Sequence, residues 1–474
     1  MQPTTARLTE AHDKALRINL DRARYGTFAE IGAGQEVARW FFRVGGAAGT
    51  IAKSVSAYDM AVSDAIYGHA SRYVSRERLE AMLDHELDLN LARLGEARGA
   101  TSAFFAFADT VSAQSYRGNR ECHGWMGVKF QSHPRDQASR IVIHVRMLDR
   151  DNASQQEALG ILGVNLLYGA FFHHHEPEQL IESLLDGLGT QRIEIDMIEL
   201  SGIEFRHVDN RLMSMKLVEL GLSGAAMFGA RGEVLQPSEV MYKRPVLLAR
   251  GSFRPVSHSH LDILRSARET LYPQPGMAEA GNLLELAELT MRNLRGDRQA
   301  VDHHDFLLRA DMLAAVGKTV LISDYFEFER LAQYVGRYTK GPTSFVVGAG
   351  TLPEIFGARS SEGQQLEAVA QLFKDGLRLL VYPLRDAASG ALTTAENYDP
   401  GESLRGLYQY VLARGFVQPL GNYTPEHLPI FSRDVLSKIA HGGGWERLVP
   451  PEVESLIRER RAFGYQPPRG KSAA

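Results

Sequence analysis

The chain has 474 residues, of which 44% are hydrophobic and 23% charged, and a formal net charge of -4. That length predicts about two or three domains and a core large enough to need no disulfide or structural metal. The balanced charge excludes the strong basic excess of nucleic-acid and membrane-surface binders, so neither is expected as a partner.

The single cysteine, Cys122, rules out an intramolecular disulfide and fits a reducing, cytoplasmic setting. It reads as a small hydrophobe rather than a nucleophile. Met1 to Leu20 carries Glu10, Asp13 and Lys14 among its apolar residues, unlike a signal peptide. No stretch reaches the roughly 18 apolar residues of a membrane helix; the nearest, Leu159 to Phe172, is broken by glycines.

In chain order, Gly26 to Trp40 reads as a short strand, a glycine turn and a helix. Arg76 to Leu94 is a charged amphipathic helix. Strands are expected at Ser102 to Val111, Trp125 to Phe130 and Ile141 to Leu148. Asp151 to Tyr168 returns to helical spacing, and Glu176 to Leu188 is a helix with Pro177 in its first turn. Ile193 to Leu200 alternates as a half-buried strand, Val208 to Leu220 is a helix and Ala225 to Phe228 a strand. From Pro245 the rhythm becomes strand, helix, strand, with strands at Val246, Leu284, Thr319, Ser344 and Leu377. That alternation predicts βαβ units and a parallel sheet with helices on both faces. The expected layout is an α/β N-terminal domain over 1–240, a Rossmann-like domain over 241–465 and a disordered tail over 466–474.

The informative segment runs from Val246 to Leu264. A buried strand ends in Gly251-Ser252, a pair suited to sharp turning and close backbone approach. Pro255 fixes the turn, and Ser257 or Ser259 can cap the next helix. Backbone N–H groups at that helix start are a natural phosphate site. His258 and His260 fall at the carboxyl edge of a parallel strand, where open α/β sheets place ligands.

Gly251, Ser252, Phe253, Pro255, His260, Leu261, Asp262 and Ile263 resemble the GSFDPxTxGHLDI and GSFNPxHxGH turns of the nucleotidylyltransferase superfamily. The similarity is to phosphopantetheine adenylyltransferases and nicotinate or nicotinamide mononucleotide adenylyltransferases. A second stretch, Phe431 to Ile439 followed by glycines and Leu448-Val449-Pro450, resembles the ISSTxIR…G…LVP tail of the nicotinate-nucleotide enzymes. The whole chain is also similar to bacterial proteins labelled as nicotinate-nucleotide adenylyltransferases. The resemblance implies a HUP-type fold that binds ATP and Mg²⁺ and transfers an adenylyl group to a mononucleotide. It implies catalytic roles for His260 and Ser257. It implies nucleotide contacts from Gly251, Ser252, Phe253, His258, Ser432, Arg433 and Lys438, no metal ligands from the protein, and a homo-oligomer.

Where that family has Gly, Asp or Asn, and Thr or His, this chain has Ser259, Arg254 and Ser257; in the tail motif it has Arg433, Asp434 and Ser437. These substitutions favour an alternative, a catalytically degenerate nucleotide sensor or oligomeric scaffold. A further alternative puts a nucleotide loop at Glu30-Ile31-Gly32-Ala33-Gly34-Gln35, against a plain strand–turn–helix. His173-His174-His175-Glu176 and His303-His304 read as polar loop and helix start, since adjacent residues on a helix or strand do not point at one metal. Asp302 reads as a helix cap, and so does Asp209, against the alternative that the polar start Asp209-Asn210-Arg211 points at a ligand in a cleft between domains.

Overall fold

The computed structural model describes residues 9–32, 34–114, 122–273, 282–296, 298–357, 361–386 and 389–467. All but the first two residues of the expected tail lie outside this set. The chain divides into two compact units, Met1–Gly224 and Ala225–Ala474. Both are α/β. Among the described residues, no helix is long and apolar enough to cross a membrane.

The first unit runs through α1 (Ala11–Asn19), β1 (Arg24–Ile31), α2 (Glu36–Val44), β2 (Ile51–Val55), α3 (Met60–Tyr67) and α4 (Arg76–Arg98). It continues with β3 (Ala103–Ser112), β4 (His123–Phe130), β5 (Ser139–Met147), α5 (Asn152–Phe172), α6 (Pro177–Ser183), β6 (Ile193–Gly202) and α7 (Asn210–Glu219). The strands lie in the order β2-β1-β3-β4-β5-β6. β1 is parallel to β2 and β3, because helices make those crossovers. From β3 onward the neighbours are antiparallel, β3 to β5 through direct connections and β5 to β6 by way of α5 and α6.

Strand alternation divides this sheet between two helical layers. Phe105 packs edge-on against Phe171 of α5, and Phe28 against Phe41 of α2. On the other face, Leu79 and Leu83 of α4 press against Gly127, where a Cβ would come within 3.3 and 3.1 Å of them. Each such fully buried leucine or phenylalanine contributes about 1.5–3 kcal/mol. β6 is buried along most of its length rather than half-buried, since both of its faces are covered. Ser75, Asp151 and Asp209 cap their helices by accepting from backbone N–H groups.

The second unit opens with β7 (Ala225–Phe228), β8 (Val234–Leu235) and α8 (Pro237–Met241). Then come β9 (Val246–Arg250), α9 (His258–Leu271), β10 (Leu284–Thr290), α10 (Met291–Arg295), α11 (His303–Ala315) and β11 (Thr319–Ser323). After α12 (Phe328–Tyr338) follow β12 (Thr343–Gly348), α13 (Leu352–Phe356), α14 (Glu362–Phe373), β13 (Arg378–Tyr382), and the hairpin of β14 (Leu384–Arg385) and β15 (Leu392–Thr393). The chain closes through α15 (Glu402–Ala413), β16 (Val417–Pro419), α16 (Ser432–His441) and α17 (Pro451–Arg460).

The main sheet has the order β16-β13-β12-β9-β10-β11-β7-β8. From β11 to β16 every pairing is parallel, in the doubly wound order 3-2-1-4-5-6. Leu247 and Ala249 of β9 pack with Leu264 and Ala267 of α9. Val246 and Leu248 point to the opposite core, with Leu331 and Val335 of α12. Helices thus cover both faces, as the alternation predicted. The sheet is mixed rather than purely parallel, because β7 pairs antiparallel with β11 and carries β8 on its outer edge. For the same reason residues 225–240, expected in the N-terminal domain, lie inside the second unit.

Candidate functional site

The chain reverses direction across the second sheet between β9 and β12, and the loops leaving the carboxyl ends of those strands flank the switch point. Arg250, the last residue of β9, faces Glu288 across the register to β10. Its guanidinium makes a two-pronged ion pair with that carboxylate, at 2.6 and 3.1 Å. It also donates to the carbonyls of Tyr325 and Phe326 and lies 4.3 Å over the Phe328 ring. Burial raises the Glu288 pKa, and Arg250 opposes that rise.

The turn after β9 is tightly determined. Phe253 adopts a left-handed φ of 46°, and the Arg254–Pro255 peptide is cis. A Cβ on Gly251 would approach the Phe253 ring to 3.1 Å, so a larger residue there would push the ring by a few tenths of an ångström. Arg254 turns aside to Asp305, at 2.6 Å. Arg309 shares that carboxylate and donates to the Ser252 carbonyl at 3.3 Å, fixing the turn from below.

Ser257 caps α9 jointly with His260. The Ser257 backbone N–H donates to His260 Nδ1 at 3.0 Å, and the Ser257 hydroxyl lies 3.0 Å from the same nitrogen. An accepting Nδ1 puts the ring proton on Nε2. Desolvation lowers the His260 pKa to about 4, so the ring is neutral at neutral pH. The Phe253 ring packs 4.8 Å from it.

The start of α16 meets this histidine. Ser432 Oγ lies 3.4 Å from His260 Nε2 and donates to the Pro255 carbonyl at 3.3 Å. Ser257, His260 and Ser432 are therefore one hydrogen-bonded group, although 172 residues separate the last two. Gly251, Ser252 and Phe253 shape the adjoining turn. His258 stacks instead on His427, 5.3 Å away with the ring planes nearly parallel; burial, then His427, lowers its pKa. Arg433 is 91% exposed with Asp434 beside it at 3.9 Å, and Lys438 is exposed one and a half turns further along α16.

Sequence reasoning matched Asp262 but gave it no role. Its carboxylate, nearly buried, accepts from the Thr424 backbone and hydroxyl at 2.8 Å, from Tyr382 at 2.7 Å and from Arg265 at 2.6 Å. It ties α9 to β13 and to the segment beyond β16, and those hydrogen bonds lower its pKa against the desolvation that raises it. A cavity of about 340 Å³ opens beside Gly251, lined by Thr290, Arg292, Asn293, Val347 and Thr351 at the ends of β10 and β12. A cleft of about 550 Å³ shares Phe326, Phe328 and Glu354 with it and adds Glu327, Glu329 and Glu367. Only the strand order brings these residues to the turn, so no local sequence signal marks them.

The glycine turn of the first unit is built differently. The Glu30 carboxylate accepts from the backbone of Val37 and Ala38, at 2.9 and 3.1 Å, and so occupies the start of α2 from within. A Cβ on Gly32 would lie 1.9 Å from the Val111 carbonyl oxygen, so that glycine answers to backbone approach. Asp109, opposite Glu30 in the β1–β3 register, accepts from the Ile31 backbone. Burial raises the Glu30 pKa to about 7, and burial with Glu30 beside it raises that of Asp109. The start of α2 is thus already met by the Glu30 carboxyl group, with a second buried acid, Asp109, behind it on β3. Ala33 lies outside the described residues.

No family model matches the chain, and no curated protein matches it. Among solved structures it is similar to the nicotinic acid mononucleotide adenylyltransferase of Plasmodium falciparum complexed with APC. Identity there is 8%, over 47% of this chain and 98% of that one, with a TM-score of 0.30. It is also similar to the competence/damage inducible protein CihA of Agrobacterium tumefaciens, 17% identical over 34% of this chain and 96% of that one, TM-score 0.24. A CinA superfamily protein of Klebsiella pneumoniae is 14% identical over 35% and 99%, TM-score 0.26. At such scores these likenesses carry no weight for the chemistry of the site.

Proposed function

We propose that the second unit is a Rossmann-like, HUP-type nucleotidylyltransferase domain that transfers an adenylyl group from ATP to a mononucleotide, releasing pyrophosphate. Nicotinate or nicotinamide mononucleotide is the first acceptor to test. The observation that carries this reading is the meeting of two helix starts, α9 and α16, on a neutral histidine at the switch point of the parallel sheet. Helix starts attract phosphate through their free N–H groups. His260 Nε2–H is a hydrogen-bond donor that a phosphate oxygen can take over from Ser432. An acceptor phosphate oxygen attacks the α-phosphorus, pyrophosphate leaves, and the work is alignment and charge stabilisation.

Ser257 orients His260, Ser432 offers a hydroxyl, and Arg433 and Lys438 supply mobile cations to the departing pyrophosphate. Mg²⁺ fits less directly. Asp262 and Asp305 beside the turn are both engaged by internal partners, so the ion would be held by phosphate oxygens and water rather than by these carboxylates. The setting that goes with this reading is a cytoplasmic homo-oligomer, which light scattering of the purified protein tests.

A degenerate sensor is the second reading. It is favoured by Arg254, turned away to Asp305, and by Asp434, which puts a negative charge in the first turn of α16. Incubation with ATP, Mg²⁺ and each mononucleotide, followed by assay of pyrophosphate and dinucleotide, separates the two. Product that disappears in His260→Ala supports the enzyme. Nucleotide-dependent thermal stabilisation without product supports the sensor.

A further inference from the structure

We propose that His174, His175 and Glu204 of the first unit form a binding site for a transition-metal dication of the zinc type. The adjacent histidines escape the rule that neighbours on a helix or strand diverge, because they sit on neither. α5 ends at Phe172, His173 caps it, and the chain turns before α6 starts at Pro177. Within that turn the two imidazoles lie with ring centroids 3.8 Å apart. His173 takes no part; its ring packs against Tyr168.

Glu204 arrives from the far end of β6. That strand ends at Gly202 with a φ of 99°, where a Cβ would come within 2.6 Å of the Ser139 Cα. The tight turn that follows, Ile203–Phe205, aims the Glu204 side chain at the histidines. One carboxylate oxygen, Oε1, is held by the Ser132 hydroxyl at 2.6 Å. The other, Oε2, lies 3.9 Å from His174 Nε2 and 3.8 Å from His175 Nδ1. The three ligand atoms all lie within 4.8 Å of one another.

These separations are too long for hydrogen bonds. Ligand bonds of about 2.0–2.2 Å in a tetrahedral site put ligand atoms about 3.3–3.6 Å apart, so the three side chains would draw in by a few tenths of an ångström or more to close on an ion. His174 is 6% exposed; neither of its ring nitrogens has a hydrogen-bond partner of good geometry, and the one backbone group that bears on the ring is that of Ala170, one turn back. A buried imidazole left in that state calls for an explanation, and a metal bond supplies one. Phe130 packs edge-on against the ring at 5.9 Å and fixes its direction.

Two imidazoles and one carboxylate select a borderline ion over Mg²⁺ or Ca²⁺, which take oxygen ligands. Ser132 acts as the outer partner that orients a ligating carboxylate. His175 is 72% exposed at its side chain, so water reaches the remaining coordination position. Arg24, whose charge acts on His174, is turned to the Gln131 and Ser132 carbonyls and to the Phe171 ring. The site would clip the α5–α6 turn to the β6–α7 connection.

The test uses the full chain, made without a histidine tag and stripped with chelator. Zn²⁺ and Co²⁺ are titrated by calorimetry, and Co²⁺ coordination is followed by its visible absorption. One tight equivalent is expected, with a rise in thermal stability on Zn²⁺. His175→Ala alters an exposed residue and should leave the fold intact, yet weaken binding about 100-fold; Glu204→Gln should weaken it about tenfold or more. Both variants should lose the Co²⁺ spectrum. Wild-type affinity in His175→Ala and Glu204→Gln, no binding at micromolar Zn²⁺, or equal preference for Mg²⁺ would each overturn the proposal.

Discussion

Each unit contains a strand, a glycine-bearing turn and a helix, and the two turns solve the same electrostatic problem in opposite ways. In the first, Glu30 places an acid against the N–H groups that open α2. In the second, the start of α9 is met by a neutral histidine and a serine, with no acid between them. A helix start carries about half a positive charge. The first turn sets a carboxyl group against it, and the second caps it with neutral side chains alone. Two motifs of similar outline therefore differ in their electrostatics through one side chain each.

The largest expected effect tests the second turn. His260→Ala should cut adenylyl transfer by about 100- to 1,000-fold, the usual loss when a donor to developing charge is removed. Single-turnover assay checks it, and unchanged turnover would break the comparison on its functional side.

The pH dependence of stability should then run in opposite directions. Glu30 has a raised folded pKa of about 7, so its contribution is present in acid and is lost as pH rises from about 4.5 through 7. Replacing it by Gln should stabilise the first unit at pH 8 by up to about 3 kcal/mol, measured as a shift in that unit's unfolding transition. An unaltered pH slope in Glu30→Gln would show that the buried acid is not linked to folding.

His260 has the reverse sign. Its folded pKa of about 4 lies below the unfolded value, so its contribution is present above about pH 6.5 and is lost on acidification toward 4. The second unit should lose at most about 3 kcal/mol over that interval. Hydrogen exchange of α9 and β9 across pH 4 to 7 would report it.

Smaller effects sharpen the geometry. Asp262→Asn removes a charged acceptor with several donors and should cost about 2 kcal/mol, with Thr424 losing its exchange protection first. Ser432→Ala should reduce turnover by about tenfold or less, since it removes a neutral hydrogen bond of about 1 kcal/mol. A rise in KM with kcat unchanged would instead place Ser432 in ground-state binding.

Much of the second unit was legible in the chain itself. The apolar runs at Val246, Thr319, Ser344 and Leu377 each became a strand. Short buried strands between helices leave few other folds. The Gly251 to His260 turn was legible for the same local reason: glycine, proline and a capping serine act within a few residues. The partnership of Ser432 with His260 was readable only through its likeness to a known motif. The lining of the cavity beside Gly251 was not readable, because Thr290, Asn293 and Thr351 come from separate strand ends.

By itself, then, the sequence determined the local grammar: strand against helix, turn positions, caps at Asp209 and Asp302. These depend on side-chain periodicity and on hydrogen bonds spanning three or four residues. Tertiary structure alone decided which acids and histidines face one another. Glu30 and Asp109 share a register across parallel strands, and His174 and His175 meet Glu204 only where two connections close on each other. Such meetings depend on strand order and loop closure, and the spacing of residues along the chain does not encode them.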